Sequence, residues 1–151
     1  KRLEDTYHPD EFRLAMFSEA IKPSTTPRNL AGTMKLTFNC KPQRWLKSGE
    51  VKVSVHGSGV LNNPTLFAAK PLLRAYGTGA LTINGVTVRI TSANQYTDID
   101  CELMDAYKGT TNCNGNIVLT NGIFPELPPG RVTISTTGLT NLVITPRWWT
   151  L

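Results

Sequence analysis

A chain of 151 residues has room for one ordinary domain, or for one domain and a fragment of another, and not for two complete domains. Its apolar runs are a few residues long, far short of the roughly 20 that a membrane helix needs, and the first twenty residues hold no run suited to a signal peptide. The formal net charge of +5 is carried by scattered residues such as Arg28, Lys35, Lys52, Lys70, Arg74, Arg89 and Arg131, with the densest group at Lys41, Arg44 and Lys47, so it solubilises a surface and marks no nucleic-acid stripe.

The chain opens on Lys1 without a Met, and its start reads as a cut. From Asp10 to Ala20 two periods compete: Phe12, Ala15, Met16 and Ala20 suit a helix, whereas Phe12, Leu14 and Met16 alternate, and strand is preferred. A Pro- and Thr-rich connection, Lys22 to Arg28, leads to a second alternation at Met34, Leu36 and Phe38. Composition shifts at Lys47-Ser48-Gly49, just after the dense segment Phe38 to Leu46, and a boundary is placed there. Residues 1–48 then supply too few strands for a core of their own, and residues 49–151 supply enough.

Alternation resumes at Val51, Val53 and Val55. Gly57-Ser-Gly59 and Gly77-Thr-Gly79 read as turns, because neither continues as a phosphate-binding glycine motif nor opens a helix. Ala80 to Thr91 is a hairpin: Leu81 and Ile83, then Val86, Val88 and Ile90, flank Asn84-Gly85, the pair that tolerates the positive φ values of a type I′ turn. Tyr96 to Leu103 sorts Ile99, Cys101 and Leu103 from Asp98, Asp100 and Glu102, which only a period of two achieves. Val132 with Ile134 and Leu142 with Ile144 continue the pattern, and Arg147 with Trp148 would close a last central strand. Many short strands, frequent glycine turns and no long helix predict an all-β antiparallel sandwich or jelly roll.

The residue types that carry chemistry are thinly supplied. Cys40, Cys101 and Cys113 form no metal-binding pair and are odd in number; a bridge between Cys101 and Cys113 stays open. His8 and His56 lie far apart and outside any catalytic motif, which reads as two surface imidazoles. The acidic stripe Asp98, Asp100 and Glu102, with Asp105 beyond, offers oxygen ligands to Ca²⁺, but a solvated outer face neutralised by Arg89 or Lys108 is preferred. Trp45, Tyr76, Tyr96, Tyr107, Trp148 and Trp149 are candidates for glycan or protein contact, and in a strand Trp148 and Trp149 point to opposite faces, one into the core. No cofactor, metal or catalytic residue is expected.

Three segments, in order over nearly the whole chain, resemble the distal tail protein family of phages infecting Gram-positive bacteria: Phe38-Asn-Cys-Lys-Pro-Gln-Arg-Trp45, Ile99-Asp-Cys-Glu-Leu-Met-Asp-Ala-Tyr-Lys-Gly109 and Pro146-Arg-Trp-Trp-Thr-Leu151. Between them Asn63-Pro64, Lys70-Pro71-Leu72-Leu73 and Phe124-Pro-Glu-Leu-Pro-Pro-Gly130 fit the carboxy-terminal part of such proteins. The resemblance implies that residues 49–151 form a galectin-like sandwich and that residues 1–48 are the closing strands of an incomplete amino-terminal ring domain. It further implies a structural protein of the virion tail, from a phage or prophage, assembled in the bacterial cytoplasm. Its partners would be the tail tube, a tail-associated lysin or fibre protein at the baseplate, and, for the full-length protein, five copies of itself in a hexameric ring. A carbohydrate-binding module for host adsorption is the alternative.

Overall fold

The structure, a computed structural model, describes residues 1–17, 19–20, 23–25 and 32–151. The chain divides into two compact units, Lys1–Arg44 with Leu151, and Trp45–Thr150. The division thus falls after Arg44, ahead of the composition shift at Lys47–Gly49. The reason is local: the Leu46 N–H already donates to the Trp148 carbonyl, 2.9 Å away, and the Leu46 side chain packs on the core of the second unit.

The first unit contains β1 (Arg2–Leu3), β2 (Glu11–Phe17), β3 (Pro23–Thr25), β4 (Gly32–Met34) and most of β5 (Phe38–Leu46). β1 and β2 pair antiparallel with Arg2 opposite Leu14, β5 lies beyond β2, and β3 and β4 form a separate pair. The preferred reading of residues 10–20 as strand is what forms. The alternation Met34, Leu36, Phe38 is not one strand, however: β4 stops at Met34, β5 starts at Phe38, and all three side chains are exposed. Within the connection Lys22 to Arg28, residues 23–25 form β3, and the remainder lies outside the described residues.

In the second unit a 3₁₀ turn, Lys47–Glu50, is followed by β6 (Val53–Val55), β7 (Ser58–Asn63), β8 (Leu72–Tyr76), β9 (Gly79–Ile83), β10 (Val86–Ile90), β11 (Tyr96–Asp100), β12 (Asp105–Lys108), β13 (Thr111–Asn112), β14 (Ile117–Leu119), β15 (Gly130–Thr137), β16 (Asn141–Thr145) and β17 (Trp149–Thr150). A five-stranded sheet has the order β14-β10-β9-β15-β7, and a six-stranded sheet the order β13-β12-β11-β8-β16-β6. Their pairings are antiparallel, so the all-β sandwich expected from the sequence is the fold observed.

Period two decides which residues face inward. Leu81, Ile83, Val88, Ile90, Val132 and Ile134 from one sheet meet Val55, Leu73, Ala75, Ile99, Ala106, Leu142 and Ile144 from the other in a single buried cluster. Each large side chain so buried contributes roughly 1.5–3 kcal/mol against the entropy of ordering it. On the outer face of the five-stranded sheet Ser135, Thr82 and Thr87 lie side by side in register, and the Thr82 and Thr87 hydroxyls meet at 2.8 Å. The Asn84-Gly85 turn takes φ values of 47° and 84°, as the hairpin reading requires.

Two expectations are corrected here. The strand beginning at Tyr96 ends at Asp100, because Asp100 Oδ1 accepts the N–H groups of Glu102 and Leu103 and turns the chain toward β12. Nor do Arg147 and Trp148 extend a central strand: β16 stops at Thr145 before Pro146, and Arg147 adopts φ 59°.

Gly49 makes that last bend possible. Its carbonyl accepts the Arg147 N–H at 2.7 Å, and a Cβ on Gly49 would stand 2.2 Å from the Trp148 nitrogen. Gly49→Ala is therefore expected to cost about 3 kcal/mol through backbone displacement. Gly57→Ala, whose Cβ would point into open space at φ +73°, should cost only about 1 kcal/mol for the left-handed backbone. Urea titrations check this: the midpoint of Gly49→Ala should fall well below that of Gly57→Ala, with similar slopes.

Candidate functional site

Of the side chains singled out in the sequence, Tyr76, Tyr96, Tyr107 and Asp98 come together on the outer face of the six-stranded sheet. Register sets the rows: Tyr107, Asp98, Arg74 and Val143 lie side by side across β12, β11, β8 and β16, and Tyr96, Tyr76 and Asn141 form the next row. Their neighbours in sequence, Ala75, Thr97, Ile99, Ala106 and Leu142, point the other way and are buried.

Asp98 and Asp100 do not form a solvated stripe. They are 4% and 2% exposed, and only Glu102, in the turn, reaches solvent. Arg74 straddles Asp98 with Nε to Oδ1 at 2.7 Å and Nη2 to Oδ2 at 2.8 Å, a two-point pair across directly opposed residues. Arg147 holds Asp100 in the same manner, at 2.8 Å on each oxygen, and comes within 3.7 Å of Glu102. The expected partners were Arg89 and Lys108. Arg89 instead lies on the five-stranded sheet, opposite Ala80 and Val118, and Lys108 donates to Gln95 and sits 5.3 Å from the Tyr96 ring centre.

The Arg74 guanidinium also covers Tyr96, 4.4 Å from the ring centre, and Tyr96 meets Tyr76 at 5.9 Å in a tilted pair. Trp148 is in the core. Trp149, on the other side, stacks on Phe67 at 4.5 Å and donates its indole N–H to the Ala68 carbonyl. Trp45 is partly buried, and its indole nitrogen is enclosed with no hydrogen-bond partner among the described residues. Trp148 thus packs in the core and Trp149 against Phe67, while Tyr76, Tyr96 and Tyr107 are partly exposed on the outer face of the six-stranded sheet.

The ionisable groups are tied to one another. The hydrogen bonds that Arg74 donates to Asp98 raise its pKa, and those that Arg147 donates to Asp100 raise its own. At Asp100 burial works to raise the pKa, but the bonds from Arg147, Leu103 and Glu102 and the Arg147 charge outweigh it and hold the carboxyl below its ordinary value. Cys101 is buried, and burial pushes its thiol up to about 12, which leaves it a packing residue at neutral pH. Cys40, Cys101 and Cys113 are free thiols. His8, in the first unit, is exposed and 3.4 Å from Asp5, and His56, in the second, is exposed beside Gly57. Among the described residues no three histidine, cysteine or acidic side chains are placed to hold a metal ion. What this face offers chemically is a rigid contact surface of tyrosine rings and paired charges.

A carboxyl with a lowered folded pKa stabilises the fold fully above its unfolded pKa of about 3.9, and that contribution is lost as pH falls through the folded value. Asp100→Asn, which strands Arg147, should cost about 3 kcal/mol at pH 7, at the low end for a buried pair because Arg147 keeps some solvent contact. The difference in melting temperature between wild type and Asp100→Asn should be constant from pH 7 to about 5 and shrink below pH 4. Calorimetry across that range checks the sign.

No protein-family model matches the sequence, and no curated protein does. Among solved structures the chain is similar to the SPP1 Dit (gp 19.1) protein, described as a paradigm of the hub adsorption apparatus in phages infecting Gram-positive bacteria. The TM-score is 0.64 at 13% sequence identity, over 97% of this chain and 63% of that protein. The fold is therefore the one that the SPP1 protein has, and this chain spans a little under two thirds of its length.

Proposed function

We propose that this chain is a structural component of a phage tail, a distal tail protein that joins the tail tube to the baseplate or fibre by protein contacts. One observation carries the reading: a fold shared with SPP1 Dit along 97% of the chain, at a TM-score of 0.64. On this reading residues 49–151 are a galectin-like sandwich at the periphery, and residues 1–48 are closing strands of a ring-forming domain. Met16, Phe17, Met34, Leu36 and Phe38 support the second part, since these exposed apolar side chains in a segment of short strands suit contact with more protein. The full protein would form a hexamer in the virion tail and assemble in the bacterial cytoplasm. The role is one of packing without turnover, in keeping with carboxylates bound to arginines and a thiol held protonated.

Immunogold electron microscopy of particles from a strain carrying the gene tests this. Label should concentrate at the distal end of the tail; particles that carry none, with the chain recovered only as free protein, would rule the reading out.

A second reading, a carbohydrate-binding module for host adsorption, draws on the Tyr76–Tyr96 pair beneath Arg74, where ring faces and a guanidinium stand together on a sheet. Titration of the chain with cell-wall saccharides separates the two. Saturable millimolar binding abolished by Tyr96→Ala would favour the module, and the structural role predicts no such binding.

A further inference from the structure

The turn between β11 and β12 places apolar side chains where the fold gains nothing from them. Leu103 and Met104 are 68% and 65% exposed, and Met104 sits at φ 55°, a left-handed position that Gly or Asn occupies at lower cost. The turn is nonetheless held firmly. Asp100 Oδ1 accepts the Glu102 N–H at 3.0 Å and the Leu103 N–H at 3.2 Å, while Arg147 fixes the carboxylate. Cys101, buried beneath, donates its N–H to the Pro71 carbonyl at 3.1 Å. Backbone strain accepted at a rigid, exposed tip, with two large apolar groups presented to water, is a pattern of pre-organised contact sites: ordering has been completed before any partner arrives.

The flanking charges identify the partner's chemistry. In Cys101-Glu-Leu-Met-Asp105 a carboxylate stands on each side of the apolar pair, with Glu102 in solvent and Asp105 bonded to the Asn114 amide at 2.6 Å. Against Asp100, Glu102 and Asp105 the turn sets Arg147, which pairs with Asp100 and comes within 3.7 Å of Glu102, so the tip carries net negative charge. An anionic bilayer would repel it, whereas an apolar pocket with basic groups at its rim would attract it. Leu66, 87% exposed, lies on the loop that leads into β8 at this same end of the sheet, where Leu72 is opposite Asp100.

We propose that Leu103 and Met104 form a docking tip that inserts into a basic-rimmed apolar pocket on a neighbouring tail protein. The proposal deepens the structural reading above and rests on it. The test uses the full chain and the purified tail proteins encoded beside it, each titrated calorimetrically at low and high salt. One of them should bind, more weakly as salt rises, and Leu103→Ser with Met104→Ser should weaken that binding about 100-fold. Met104→Gly should weaken it about tenfold while leaving the melting temperature unchanged or higher, because glycine relieves the left-handed backbone. Binding indifferent to both variants would overturn the tip and leave the tail reading standing. Absence of binding to every tail protein would overturn both. Co-sedimentation with phosphatidylglycerol vesicles that the double variant abolishes would make the occupant a lipid surface, and would equally overturn the proposal.

Discussion

A carboxylate withdrawn from water has to be met by a cation or by hydrogen-bond donors, and Asp100 is met by both. Its cation comes from Arg147, 47 positions along the chain, and its backbone donors come from the turn that it closes. Satisfying one buried group therefore fixes two distant pieces of chain. Arg147 meets Asp100 from a left-handed backbone, and that bend brings its N–H to the Gly49 carbonyl and the Trp148 nitrogen against Gly49 itself. Trp148 then enters the core while Trp149 turns to Phe67 and Ala68. In energy alone a buried ion pair is no better than apolar packing of equal volume. What this pair adds is a tie between the carboxy-terminal segment and the turn after β11, with both charges matched.

The same constraint decides what the outer sheet face can do. Arg74 is committed to Asp98 at two points, and its remaining surface lies over Tyr96. A guanidinium so placed holds neighbouring side chains rigid, and a carboxylate so bound is a poor base. The charges of Arg74 and Asp98 are thus matched within the face itself.

How much of this was legible in the residues follows from the range of the interactions involved. The Asn84-Gly85 hairpin is local: turn chemistry and alternation lie within a dozen residues, and the reading and the structure coincide. Many inward residues, such as Leu81, Ile83, Val88, Ile99, Val132 and Ile144, were visible from period two, but Val51 and Leu103 share the pattern and are exposed. The partners of Asp98 and Asp100 were not, since choosing Arg74 and Arg147 over Arg89 and Lys108 requires the register of β8 against β11 and the course of the chain after Pro146. Alternation also carried the reading past Asp100. Leu103 continues the period in sequence, and only the side-chain bonds from Asp100 to the turn amides reveal that the strand has ended. An Asp followed by a short turn was the available signal, hidden because two further acidic residues at even spacing made it look like one of a row. At Met34, Leu36 and Phe38 alternation misled for another reason: in short strands with little to cover them, apolar spacing does not guarantee a buried face.

Fold likeness at 13% identity has a physical basis that also limits what it says about function. A sandwich needs apolar volume on two inner faces and turn residues at strand ends, and many unrelated sequences meet those terms. Residues such as Leu73, Ile99 and Ile144 satisfy the fold without naming a partner. Departures from the fold's own requirements are more informative: a methionine where glycine would be cheaper, a leucine beside it left in water, and both held by a turn that was made stiff. Stability does not explain such choices, so the reason for them lies outside the packing of the sandwich itself.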